Sequence, residues 1–230
     1  MKLTSKRHRE ALKLIEEKKV YDIEEAIELL KKVPKAKFDE SVDIAVKLAK
    51  KPEQPEQQIR TTIVLPKGTG KTTRVLVFAK GEKEKEARDA GADYVGAEDL
   101  IEKIKGGWLE FDVAIATPDM MKEIGKLGKI LGTKGLMPNP KSGTVTFDIA
   151  KTVKEFKAGK VEFRSNKEGV VNLSLGKISF DSNDLKANIE HFIKTFLKLS
   201  ALATKGQSVK SMYLSTTMGI GVPINFKKYL

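Results

Sequence analysis

"VLPKGTGKTTRVLVF", Val64 to Phe78, begins like a phosphate-binding loop, and what comes after the glycines decides which fold the chain builds. A nucleotide loop of that kind needs a glycine five residues before the Gly-Lys pair, so that successive backbone N–H groups turn toward phosphate. Leu65 stands there instead. The loop must also open a helix whose N-terminal dipole faces the nucleotide. Here Arg74-Val-Leu-Val-Phe-Ala79 follows, a β-branched and aromatic run that predicts a strand. The segment marks a change of architecture.

Downstream of it, short apolar strands alternate with helices. Val75–Ala79 predicts a fully buried strand, Glu82–Ala90 a charged helix with Gly91 as its C-cap, and Asp93–Val95 a strand stub. Ala97–Lys105 reads as a helix and Val113–Ala116 as a buried strand. Pro118 suits the first turn of a helix ending near Leu131. This alternation implies βαβ units and a parallel sheet.

On either side the style differs. Two helices open the chain, Ser5–Lys19 with Leu12, Leu14 and Ile15 on one side, and Ile23–Val33, with Asp22 and Glu25 as a capping box and Pro34 as the stop. Ser41–Leu48 alternates as a half-buried strand does. After a "KKPEQPEQ" loop, Gln58–Leu65 reads as a second strand antiparallel to it. Past Gly159, Lys160–Arg164 and Val170–Leu175 suggest a hairpin around "SNKEG". Ser182 then caps the helix Asn183–Leu199, and Val209–Thr217 is a long final strand. The fold expected is α/β: an α+β split domain with an antiparallel sheet, residues 1–67 and 159–230, interrupted by a βαβ Rossmann-like three-layer insert, residues 68–158. Glycines near both crossings suggest a two-strand hinge.

Charge follows the same division. The net charge is +12 with a pI near 9.6. Residues 1–67 contribute +4, 68–158 contribute +2 and 159–230 contribute +6. A charge concentrated in one domain points to a polyanionic partner, above all nucleic acid. With no Cys and only His8 and His191, zinc and disulfide frameworks are excluded. No signal peptide or membrane span is expected, and the protein is read as cytoplasmic.

The longest motifs match a known family. "GTKGLMPNPKSGTVT" (Gly132–Thr146), "KFDESVDIAVKL", "GADYVG" and "STTMG", in that order, resemble the large-subunit ribosomal protein L-one family in its bacterial form, over nearly the whole chain. The resemblance implies a non-enzyme without cofactors, a monomer when free, that binds large-subunit rRNA through the split domain and forms the mobile stalk. It implies further roles in releasing deacylated tRNA and in repressing translation of its own mRNA.

Structured RNA offers phosphates, 2′-hydroxyls and bases exposed at bulges. Alternation along the last strand places Ser211, Tyr213, Ser215 and Thr217 on one face and Met212, Leu214 and Thr216 on the other. The hydroxyl face can meet 2′-OH and phosphate groups. Gly219 would admit close backbone approach, and an exposed Met218 could pack on a ribose or base. Phe38 is either a core plug or a stacking platform. The family motif favours RNA contact for Lys37, Phe38 and Ser41, with Glu40 accepting from a 2′-OH or base amine. In "EFRSNKEGV", Arg164 and Lys167 can pair with phosphates. "MPNPKSG" reads primarily as a stiff structural turn, with contact to RNA or tRNA in the assembled ribosome as the weaker alternative. Lys71 and Arg74 are left with at most nonspecific phosphate contact. Two competing classes are an enzyme using the insert near Lys80, Gly96 and Thr117–Asp119, and a nonspecific nucleic-acid chaperone.

Overall fold

The computed structural model describes residues 6–16, 19–33, 36–49, 59–203 and 209–229. Ser5, Pro34, the "KKPEQPEQ" loop and Gln58 lie outside the described residues. In chain order the elements begin with α1 (Lys6–Lys13), α2 (Ile23–Lys32), β1 (Ser41–Leu48), β2 (Arg60–Val64), β3 (Val75–Phe78), α3 (Glu82–Asp89) and β4 (Tyr94–Gly96). They continue with α4 (Glu98–Lys105), β5 (Val113–Ala116), α5 (Met121–Ile124), α6 (Gly128–Lys134) and α7 (Ile149–Lys157). The last are β6 (Lys160–Arg164), β7 (Val170–Lys177), α8 (Ser182–Ala203), β8 (Val209–Thr216) and β9 (Val222–Pro223).

The chain divides into two compact units, Met1–Lys71 with Phe163–Leu230, and Thr72–Glu162. The crossings thus fall after Lys71 and after Glu162, not at 67/68 and 158/159. By these bounds the first unit has 27 basic and 16 acidic side chains and the second 16 and 15. Nearly all the excess positive charge sits on the discontinuous unit.

In that unit an antiparallel sheet runs β7-β1-β8-β9. Strand β1 alternates strictly, burying Val42, Ile44, Val46 and Leu48, and β8 does the same with Met212, Leu214 and Thr216. Helix α8 buries Leu185, Ile189, Phe192, Ile193 and Phe196. Phe163, Phe192 and Phe196 form an aromatic cluster with centroids 5.5–6.0 Å apart. Each such side chain removed from water contributes roughly 1.5–3 kcal/mol.

Several local expectations change. Strand β2 pairs with β6, not with β1, both of whose edges are taken by β7 and β8. Alternation reveals a strand's wet face but not its neighbour. For the same reason β6 and β7 are no hairpin; they share a single bridge, Ser165–Val171, around a turn organised by Asn166. The capping box at α2 does not form: the Asp22 carboxylate makes no cap bond and instead meets the Lys228 ammonium at 2.6 Å. That bond holds the Asp22 carboxyl below its ordinary value. Ser182 is the first residue of α8, not its cap, and the helix continues past Leu199 to Ala203. Helix α1 ends at Lys13 with Leu12 and Leu14 exposed, while Ala11 packs on Val33 and Ile220.

Within the opening motif, Gly70 has φ +68°, and a Cβ there would come within 2.7 Å of the Phe180 ring. The glycine is required by packing and a left-handed backbone. Asn188, fully buried on α8, fastens the preceding turn: its Nδ2 donates to the Gly68 and Leu175 carbonyls at 2.9 and 2.8 Å, and its Oδ1 accepts from Lys67 N–H at 3.0 Å.

The second unit is a three-layer α/β body around a parallel sheet ordered β4-β3-β5. All four residues of β3 are buried. Leu76 and Phe78 face a core shared with α4, Met120, Ile124, Leu127 and Leu131, while Val75 and Val77 face Ala87, Ile149, Val153 and Phe156. Three-residue 3-10 turns at Pro118–Met120 and Gly125–Leu127 join α5 and α6 into one helical run from Pro118 to Lys134. The "MPNPKSG" turn is fastened to this body: Asn139 N–H donates to Thr144 Oγ1 at 2.7 Å, its Oδ1 accepts from Lys141 N–H, and Val145 bridges Ala116.

Candidate nucleic-acid interface

The antiparallel pairing of β1 with β8 brings two distant motifs together. Ser41 N–H donates to Thr217 Oγ1 at 3.0 Å, and Thr217 N–H donates to the Ser41 carbonyl at 3.1 Å. On this junction Phe38 is 54% exposed and Met218 55%. These are large apolar groups held out in water, with Lys37 exposed next to Phe38. The sequence weighed Phe38 as a core plug; the structure leaves it at the surface.

Glu40 is the opposite case. It is buried, and its carboxylate accepts from Ala36 N–H at 2.6 Å and Met218 N–H at 3.2 Å. Burial pushes its pKa up, but hydrogen bonds from the Thr216 hydroxyl and these two N–H groups, with the Arg7 charge, outweigh burial and hold it below the usual value. Expected to accept from RNA, Glu40 is found with its oxygens engaged by the protein's own donors, and it ties the Phe38 loop to the Met218 turn. Arg7, on α1, donates to the Met218 carbonyl at 3.1 Å and clasps the same turn from the other side. Nothing local in "KRHRE" distinguishes Arg7 from its neighbours, so this role was not legible.

Gly219, expected to admit close RNA approach, is also required by the fold itself. A Cβ on it would stand 2.3 Å from Thr216 Oγ1. The missing side chain makes room for the protein's own hydroxyl. Thr216, bonded to Glu40, sits on the buried side of β8.

Across the wet face, β8 register sets Ser215 opposite Asp43 and Ser211 opposite Lys47. Asn172 and Ser174 of β7 complete an open depression with Asp43 and Ser215. Partial burial raises the Asp43 pKa, against a Ser174 hydrogen bond and the Lys177 charge. Lys177 also holds Ser41 Oγ at 3.1 Å. At the far end of β1, Lys47 Nζ donates to the Glu168 carbonyl at 2.7 Å and anchors the tip that carries exposed Lys167. Arg164 is exposed on β6, in the separate two-stranded sheet. Six residues of β1 separate the two ends, about 20 Å. Thus Lys37, Phe38, Ser41, Thr217, Met218 and Gly219 gather at one end, Lys167 marks the other, and Ser215 and Ser211 lie between. Asn166 accepts from the Glu168 and Val170 N–H groups and shapes the tip.

In the other unit, the carboxyl ends of the parallel strands offer no free cation at Lys80, which bonds Glu98 and Glu123 at 3.1 Å each. Arg74, considered for phosphate, pairs with Asp112 at 3.3 Å. Among the described residues no cluster of His, Cys, Asp or Glu could hold a metal, and no helix is long and apolar enough to cross a membrane.

The chain thus combines a discontinuous sheet-and-helix unit bearing an excess of positive charge with an interposed parallel α/β unit. Residues 30–220 match the Ribosomal protein L1p/L10e family, and the chain belongs to it. It is 51% identical over 224 residues to the large ribosomal subunit protein uL1 of Protochlamydia amoebophila (strain UWE25), across 97% of this chain and 95% of that one. This chain is therefore a protein of the large subunit of the cytoplasmic ribosome and not an enzyme, which sets aside the catalytic reading of the insert.

Proposed function

We propose that the wet face from the Lys167 tip to the Met218 turn grips a folded segment of large-subunit rRNA and so builds the mobile stalk. The observation that carries this is the Ser41–Thr217 junction, which presents Phe38 and Met218 outward while Glu40 fixes both loops from beneath. Such a rigid pair can cover an unstacked base and its ribose, with Ser41, Ser211, Ser215 and Thr217 hydroxyls for 2′-OH and phosphate groups. Arg164 and Lys167 add charge at the other end. The stalk in turn assists release of deacylated tRNA, and the same face, meeting a similar shape in its own mRNA, represses translation. The free protein is a monomer and needs no cofactor.

Filter binding to the stalk rRNA fragment, with unrelated duplex RNA as competitor over a range of salt, tests the reading. Specific binding should survive excess competitor. A nonspecific chaperone would lose the fragment to the competitor, and that result would sink the proposal.

A further inference from the structure

The second unit is nearly neutral as a whole, but its charge is unevenly placed. Residues 120–147 hold five lysines and one acidic side chain, leaving the rest of the unit negative. Lys122, Lys126 and Lys129 follow one another at helical spacing along the run from Pro118 to Lys134. Met120, Ile124, Leu127 and Leu131 take the buried side of that run, so the lysines stand on the opposite side. Lys134 and Lys141 come later in the same stretch of chain, and all five are exposed. Elsewhere in the unit, cations are often neutralised: Lys80 by Glu98 and Glu123, Lys83 by Glu86, Lys157 by Asp93 and Lys160 by Glu155. Among the described residues, none of these five ammonium groups meets a carboxylate within 4.0 Å.

The backbone beside the ridge is bare. Gly125 and Gly128 have helical φ of −53° and −54°, and a Cβ on either, or on Gly132, would meet nothing within 4 Å. The fold does not demand these glycines, although each weakens a helix. They leave a smooth strip against which a partner's backbone can lie.

We infer that the Lys122–Lys126–Lys129 ridge is a second RNA surface, reading the phosphate backbone through charge and not sequence. It goes beyond the proposed function, whose contact residues all lie on the other unit. The occupant is RNA for a stated reason. Protein interfaces centre on buried aromatic and aliphatic anchors and are depleted in lysine. No large apolar side chain is exposed between Pro118 and Gly143, whereas lysine suits phosphate as a mobile point charge.

The test uses the whole protein and a short random-sequence RNA duplex. Lys122→Glu/Lys126→Glu/Lys129→Glu should weaken duplex binding roughly tenfold or more at low salt and flatten the dependence of log K on log salt by about two to three. Its affinity for the stalk rRNA fragment should not change. Met218→Ala should do the reverse, so failure of the ridge and failure of the first-unit site read out separately. Lys85→Glu/Lys103→Glu/Lys105→Glu, with the same charge change elsewhere on this unit, should cost distinctly less. Parent-like duplex affinity and slope in the ridge variant overturn the inference. So does an equal loss in the charge-matched control, and an acidic protein would then be the occupant to seek.

Discussion

The Glu40 carboxylate accepts the backbone N–H of Met218 across 178 positions of sequence, at 3.2 Å, while its other oxygen takes the N–H of Ala36. One buried side chain thereby sets the distance between two exposed apolar groups, Phe38 and Met218. Glu40→Gln keeps the shape but turns an acceptor into a donor against an N–H. It should cost about 1–3 kcal/mol in urea unfolding and weaken stalk-RNA binding with an unchanged salt slope. A flattened slope would mean that the residue acts on phosphate electrostatics directly.

Acid should remove the Glu40 contribution. Its folded pKa lies below 4.5, so the stabilisation is complete above that value and disappears as pH falls through the folded pKa. Asp43 runs the other way. Its folded pKa lies above 3.8, so the ionised form opposes folding at neutral pH. Asp43→Asn should raise the urea midpoint at pH 7, and that advantage should vanish once the pH is well below 3.8. Paired urea titrations at both pH values decide this.

Phe38→Ala and Met218→Ala remove groups that the fold leaves in water, so neither should lower the melting temperature. Each should still weaken RNA binding by about 1–3 kcal/mol if a base packs there. Lys71→Ala should change binding little. Equal losses at all three positions, measured by filter binding, would remove the assignment of the site.

Gly219→Ala should destabilise by roughly 1–3 kcal/mol, because its methyl meets Thr216 Oγ1 and that hydroxyl cannot swing away without releasing Glu40. In Thr216→Ala the same glycine change should cost much less. A double-mutant cycle by urea unfolding tests the coupling, and additive losses would refute it.

Gly128→Ala, in contrast, should stabilise by about 0.5–1 kcal/mol, since its backbone is helical and its surroundings open. Thermal unfolding of the full chain reads the sign.

What could be read from residues alone was the periodic part. The alternation in "SVDIAVKL" and in "VKSMYLST" is strong enough to give strand, wet face and hydroxyl row at once. The apolar runs at Val75 and Val113 likewise announced a buried sheet. What escaped was the choice among chemically equal partners. β2 could have paired with any open edge. Asp22 could cap a helix or meet Lys228, and the ammonium from the distant C-terminal segment won. Glu40 looked like one more charged residue in a charged loop, and only the arrival of Met218 and Thr216 turned it inward. Recognition of Phe38 and Met218 rested on family likeness, because exposure of a lone aromatic or methionine leaves no periodic trace.

The strand order β7-β1-β8-β9 has a consequence for biosynthesis. β1 leaves the translating ribosome early, yet both its neighbours are encoded after the interposed unit, so its two hydrogen-bonding edges must wait for residues 170–216. The interposed unit, contiguous in the chain, can collapse meanwhile. A nascent polypeptide therefore spends most of its elongation with a naked apolar ribbon, vulnerable to adventitious pairing. The ribbon is sheathed only when β7 and β8 have both emerged.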